Sequence, residues 1–198
     1  IWKGLVGSEM CIRDSPGILL SSAIEKYANF YGVACGEKNV LFTNNDSAYE
    51  TAISLYQKGI NIEAIIDNRE DTDSKLIKET EKNNIKVYKG YTVVDTYGYK
   101  RVNKVSIMQL SKDGQKAIGS KISISCDCLG ISGGWTPAVH LFTQSGGKLK
   151  FRDEDQVFIP NIYPSDQISI GSCNGDFTLD EILSVSYTHL TLPTMDSV

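Results

Sequence analysis

The chain has 198 residues, 41% of them hydrophobic and 22% charged, with a net charge of −4. That balance excludes a disordered chain, which could not bury enough apolar surface to fold. The acidic excess and the lack of a basic block exclude an electrostatic footprint for nucleic acid. No apolar run reaches the roughly 20 residues a membrane helix needs, and no apolar signal segment follows Lys3. Five cysteines at irregular spacing form no disulfide framework and point to a reducing compartment, the cytoplasm.

The two ends break the rhythm of the rest. Gly4 to Ser15 and Val185 to Thr194 resemble translated sequencing-adaptor tails. Residues 1–15 and 185–198 are therefore expected to be non-native flanks and stand outside the fold reasoning, as fusion scars do. On that division residues 16–137 form a dinucleotide-binding-like domain with a leading helix. Residues 138–184 form a partial return to a neighbouring domain.

In chain order, Pro16-Gly17 marks a turn. Leu19, Leu20, Ala23, Ile24, Tyr27 and Ala28 then recur at helical spacing, so a helix is expected from Ile18 to Tyr31, ended by Gly32. Val40 to Thr43 is a short apolar run rich in β-formers. Ala48, Ala52, Ile53 and Leu55 again follow a helical period, which Gly59 stops by offering the left-handed cap at no steric cost. Ile62 to Ile66 is a second apolar run closing on Asp67. Asp71 to Ser74 supplies N-cap residues for a charged helix to Asn83, and Ile85 to Tyr88 is a third strand. This alternation implies a small parallel sheet, a Rossmann-like βαβαβ unit.

From Gly90 the period changes. Tyr91 to Thr96, Arg101 to Leu110 and Lys121 to Ser125 alternate as strands and are separated by turn residues, an antiparallel β-meander. Cys126 to Ser132 is a returning strand that ends in Gly133-Gly134-Trp135-Thr136-Pro137. Beyond it, Ile168 to Gly171 reads as a short strand. It leads through Asn174-Gly175-Asp176 into a helix from Phe177, with Thr178 and Glu181 as a capping box. The fold class is α/β: a parallel βαβαβ sheet plus an antiparallel meander, as in FAD/NAD(P)-binding disulfide-reductase-type domains.

The candidate site lies at the strand ends. The start of a helix after a first strand favours an anion through its N–H groups and dipole. The fingerprint G-x-G-x-x-G/A falls here on Thr43, Asn45 and Ala48. The small Ala48 fits; Thr43 and Asn45 replace glycines. Asn44, Asn45, Asp46 and Ser47 can cap the helix instead. Asp67, at the end of the second strand, stands where an acid bonds the ribose of NAD, and Arg69 stands where an arginine would meet the 2′-phosphate of NADP. Gly133, Gly134, Gly175 and Asp176 are further contact candidates, because glycine lets backbone approach a phosphate closely. The cofactor-binding set is thus Thr43, Asn44, Asn45, Asp46, Asp67, Gly133, Gly134, Gly175 and Asp176. Cys126-x-Cys128 would share one strand face but lacks a second pair at zinc spacing. His140 has no nucleophile beside it, and Trp135 reads as core or as a stacking ring. No catalytic and no metal residue is assigned.

Four strings occur together and in order: Pro16-Gly17-Ile18-Leu19-Leu20-Ser21-Ser22-Ala23, Leu41-Phe42-Thr43-Asn44-Asn45-Asp46-Ser47-Ala48-Tyr49, Asp127-Cys128-Leu129-Gly130-Ile131-Ser132-Gly133-Gly134-Trp135-Thr136-Pro137, and His140-Leu141-Phe142-Thr143-Gln144-Ser145-Gly146-Gly147-Lys148-Leu149. With them the chain resembles the alpha (large) subunit of heterotetrameric sarcosine oxidase over residues 16–183. The resemblance implies an internal fragment of a subunit that carries NAD, in a complex that also holds FAD and FMN. That complex oxidises sarcosine to glycine, passes a one-carbon unit to tetrahydrofolate, and assembles from several different subunits. Two readings stay open: a unit that positions a dinucleotide, or a nucleotide-fold platform for partner subunits with no ligand of its own. Large subunits of related opine or methylglutamate oxidising complexes could share the scaffold.

Overall fold

The computed structural model describes residues 15–70, 72, 74–153, 157–164 and 167–190. The chain divides into two units, Ile1–Gly134 and Trp135–Val198. Of the two expected flanks, residues 1–14 and 191–198 lie outside the described residues, as do Asp71 and Asp73 of the N-cap cluster.

The first unit begins with strand β1 (Ile18–Leu20) and helix α1 (Ser21–Tyr31), followed by β2 (Asn39–Thr43), α2 (Ser47–Gln57), β3 (Ile62–Asp67), α3 (Lys75–Lys82) and β4 (Lys86–Lys89). The meander is β5 (Tyr91–Gly98), β6 (Val102–Leu110) and β7 (Ala117–Ser125), and β8 (Cys128–Ser132) closes the unit. Five strands form one sheet in the order β1-β8-β2-β3-β4, all parallel. The meander is a separate antiparallel sheet in the order β5-β6-β7. The change of period at Gly90 therefore marks the change from parallel to antiparallel, and the last strand returns to the parallel sheet between β1 and β2.

Both faces of that sheet are covered, which is why its strands read as near-continuous apolar runs. On one face Ile24 of α1, Tyr49, Ala52 and Leu55 of α2 and Ile77 of α3 close over Leu41, Ile65 and Cys128. On the other, Val93, Val102, Val105 and Ile107 of the meander close over Val40, Ile66 and Leu129. Neighbours such as Val40 and Leu41 thus serve opposite cores, as the two-residue side-chain period of a strand requires. Gly32 ends α1 in the left-handed conformation (φ 64°), and Ser74 caps α3 by accepting the Ile77 N–H at 3.4 Å.

The start of the chain corrects the sequence reading. Ile18 to Leu20 is not the first turn of the helix but a strand, with Ile18, Leu19 and Leu20 in parallel register with Leu129, Gly130 and Ile131. Three apolar residues fit either period. The choice was made by β8, which arrives more than 100 residues later in sequence and offers its free edge.

The second unit holds α4 (His140–Gln144), the antiparallel pair β9 (Lys148–Arg152) and β10 (Val157–Ile162), a 3-10 turn at Gly171–Cys173, and α5 (Leu179–Leu190). Phe142, Val157 and Ile159 are among its buried apolar residues. The expected strand at 168–171 does not form: residues 167–170 are irregular and Gly171 opens the 3-10 turn. An apolar run without a ladder partner stays irregular. The capping box does form. Thr178 Oγ1 accepts the Glu181 N–H at 3.3 Å, and Glu181 Oε2 accepts the Thr178 N–H at 3.2 Å.

Candidate functional site

In parallel sheets ligands gather outside the carboxyl ends of the strands. Here Thr43, Ser132 and Asp67 stand side by side at that edge, because Thr43 is in register with both Ser132 on β8 and Asp67 on β3. The sheet thereby brings Thr43, Asn44, Asn45, Asp46, Asp67, Gly133 and Gly134 together. Gly175 and Asp176 belong to the second unit.

Thr43 is buried and closes the turn on itself. Its hydroxyl donates to the Asn45 carbonyl at 2.8 Å and accepts the Asn45 N–H at 3.1 Å. Asn45 does the work of a helix cap from one residue before the formal cap position. Its Oδ1 accepts the Ser47 N–H at 3.0 Å and the Ser47 hydroxyl at 2.5 Å, and the Ser132 hydroxyl lies at 3.3 Å. Its Nδ2 donates to the Ser132 carbonyl at 3.1 Å and to Asn44 Oδ1 at 2.9 Å. Asn44 in turn donates to the Gly133 carbonyl at 3.2 Å. The first loop of the βαβ unit is therefore stitched by side chains to the end of β8. Gly133 and Gly134 are exposed.

Asp67 is fully enclosed, at 0% exposure. Tyr49 O–H donates to its Oδ2 at 2.8 Å, Arg69 N–H and Nε donate to Oδ1 at 2.9 and 3.1 Å, and Arg69 Nη2 donates to Oδ2 at 2.8 Å. A carboxylate has about four lone-pair positions, so this one is saturated. Burial, followed by the bond to Asp67, pushes the Tyr49 phenol well above its ordinary value. The bond to Asp67 is also the largest cause raising the Arg69 guanidinium above its ordinary value. Arg69 reaches on to Asp46 at 2.7 Å. In this geometry Asp67 has no open acceptor for a ribose, because its lone pairs face donors of its own fold. In the sequence Tyr49 stands out only as the end of the string Leu41 to Tyr49, with no role of its own. The available signal was that a tyrosine on a buried helix face needs a partner for its hydroxyl, and the acid closing the next strand supplies it.

The dinucleotide fit can be tested on these contacts. A pyrophosphate needs open N–H groups at the α2 amino end, and the Ser47 N–H is already taken by Asn45. The ribose needs a free acid, and Asp67 is closed. Both contacts oppose a bound dinucleotide at this loop.

In the second unit Gly175 adopts φ 84°, a conformation that favours glycine, and its carbonyl accepts from Arg152 Nη2 at 3.2 Å. Asp176 Oδ2 accepts from Asn174 Nδ2 at 3.0 Å, and the Asp176 N–H donates to Gly171. This short turn presents a half-buried carboxylate just before α5. Trp135 is 57% exposed, with its ring centroid 6.3 Å from that of Phe177, so it is not core. His140 is exposed at the start of α4.

Cys126 and Cys128 do not share a face, contrary to the expectation from their spacing. Cys126 precedes β8 and joins the meander-side core, whereas Cys128 opens the strand and joins the helix-side core. Among the described residues no group of three or more His, Cys, Asp or Glu is placed to hold a metal. Burial pushes the Cys126 thiol up to about 11 and the Cys128 thiol up to about 12. Since the folded values lie above the ordinary 9.0, their stabilising contribution is complete below pH 9.0 and is lost as pH rises through the raised values. Mass-mapped alkylation of the native chain at pH 8 is therefore expected to leave both thiols unmodified until denaturant is added. Rapid native labelling of either would show that the strand end opens.

A parallel sheet with helices on one face and a three-stranded antiparallel sheet on the other is the fold of the FAD/NAD(P)-binding disulfide reductases. The thioredoxin reductase of Lactococcus lactis superposes with a TM-score of 0.62, covering 93% of this chain and 58% of that one at 14% identity. No protein-family model matches the chain. In sequence it is 34% identical over 174 residues to sarcosine oxidase subunit alpha of Corynebacterium sp. (strain P-1), covering 87% of this chain and 18% of that protein. To the same subunit of Corynebacterium sp. (strain U-96) it is 30% identical over 163 residues, covering 82% and 17%. The chain is thus similar to one stretch of the sarcosine oxidase alpha subunits and spans less than a fifth of the length of these relatives. No helix among the described residues is long and apolar enough to cross a membrane.

Proposed function

We propose that this chain is a scaffold segment of the large subunit of a sarcosine-oxidising flavoenzyme. The observation that carries the reading is the 34% identity to a sarcosine oxidase alpha subunit along 87% of the chain. The complete enzyme would oxidise the N-methyl group of sarcosine, releasing glycine and passing the one-carbon unit to tetrahydrofolate. It would use FAD and FMN, with NAD held by the large subunit, in a hetero-oligomer located in the cytoplasm. The segment carries no catalytic residue in this reading and would be inactive alone. Its part would be to shape the subunit and to contact the cofactor through the Gly175-Asp176 turn, where a glycine allows close backbone approach and Asp176 offers an acceptor to ribose hydroxyls.

The test is made on the complete subunit assembled with its partners. Sarcosine is expected to drive oxygen consumption, and the complex is expected to release NAD, FAD and FMN on denaturation. Asp176→Ala should lower the NAD content without changing subunit assembly. Turnover of an opine or of N-methylglutamate, with none of sarcosine, would replace the substrate assignment by the related oxidising complexes. An unchanged NAD content in the variant would remove Asp176 from the cofactor contacts.

A further inference from the structure

We propose that the crevice at the carboxyl ends of β2 and β8 is a nucleotide site closed by the protein itself, with the Asn45 carboxamide standing where a dinucleotide pyrophosphate would bind, so that the first unit takes neither NAD nor NADP. The inference does not depend on the enzyme to which the segment is assigned.

Key positions that a dinucleotide would need are taken by side chains of the chain. At the α2 amino end, Asn45 Oδ1 presents an acceptor to the Ser47 N–H and hydroxyl, the place and the role of a phosphate oxygen on a helix dipole. This plug is fixed from the opposite side as well. The Ser132 hydroxyl and carbonyl and Asn44 Oδ1 hold the same carboxamide, so it cannot swing out without breaking its bonds to β8. In the first glycine position Thr43 spends its hydroxyl on the backbone of the turn. Beside the plug stands Asp46, whose negative charge would oppose an incoming pyrophosphate and is itself paired with Arg69 at 2.7 Å. At the ribose position Asp67 is buried and saturated. Arg69, the residue that could have met a 2′-phosphate, has Nε and Nη2 committed to these two acids. Polar side chains have thus turned the crevice of the fold into a seam that ties β2 and α2 to β8.

The test reads the plug directly. In an isotope-labelled sample of the full chain, the Asn45 side-chain amide and the Ser47 N–H are followed by NMR during additions of NAD, NADP or inorganic pyrophosphate to about 1 mM, the weak end of useful affinity. Neither signal is expected to shift. A saturable shift at both with either dinucleotide would overturn the proposal. Shifts confined to the Gly175-Asp176 turn would leave it standing and bear instead on the proposed cofactor contact. In the double variant Asn45→Gly, Asp46→Ser, the freed Ser47 N–H is expected to respond to pyrophosphate. A variant with an otherwise unchanged spectrum and no response would show that Asn45 is not what closes the site. Should the variant not fold, the wild-type titration decides alone.

Discussion

Replacing Asp67 with alanine is expected to lower the unfolding free energy of the chain by about 1–3 kcal/mol, chiefly the cost of leaving a buried hydroxyl without its partner. The carboxylate is fully enclosed and answers donors from Tyr49 and Arg69. Its removal leaves the Tyr49 hydroxyl buried and unbonded and leaves Arg69 with only Asp46, a partner exposed to solvent and screened. Tyr49→Phe removes one hydrogen bond and keeps the ion pair, so its cost should be nearer 1 kcal/mol. Urea unfolding followed by far-UV circular dichroism separates the two cases. A loss from Asp67→Ala smaller than about 0.5 kcal/mol, the range of ordinary surface changes, would mean that the acid carries no structural role.

The second large effect lies in the centre of the sheet. Leu41 is fully buried among the helix-side core residues, and Leu41→Ala is expected to cost about 2–5 kcal/mol through lost transfer energy and the cavity left behind. Its partner across the ladder is Gly130. A Cβ built there would fall 2.5 Å from Leu41 Cδ2 and 2.9 Å from Ile24 Cδ1, so a larger residue at this point must push those two side chains aside. Gly130→Ala alone is expected to cost about 1–3 kcal/mol by overpacking. In the Leu41→Ala background the added methyl enters the vacated space and should cost measurably less. The double-mutant cycle is therefore expected to be subadditive, as for side chains that share one volume. Strict additivity of the two losses would show that Leu41 and Gly130 do not contest the same space.

Much of the architecture was legible before the structure. The 3.6-residue period in Ala48, Ala52 and Leu55, the apolar runs at Val40 to Thr43 and Ile62 to Ile66, and the change to alternation after Gly90 are local signals that each element carries in its own residues. The capping box at Thr178 and Glu181 is equally local, since its two hydrogen bonds span three residues. The short strand Ile18 to Leu20 was not legible, because nothing within it distinguishes three strand residues from the first turn of a helix.

The candidate site divides along the same line. Its residue types and positions were fixed by the sequence itself: polar side chains where the glycines of a phosphate loop would be, and an acid at the end of the second strand. That Asn45 turns inward to Ser132, and that Asp67 turns inward to Tyr49 and Arg69, was decided by tertiary structure alone. β8 comes from 87 residues further along the chain to meet Asn45, and α2 lays Tyr49 over the end of β3. A polar residue at a strand end is free to bind a ligand or to satisfy its own fold, and which it does depends on the donors that distant segments bring within reach. Cys126 and Cys128 show the same dependence. Their spacing was local, but the point at which the chain enters the sheet, and so which core each thiol joins, was set by pairing with β1 and β2.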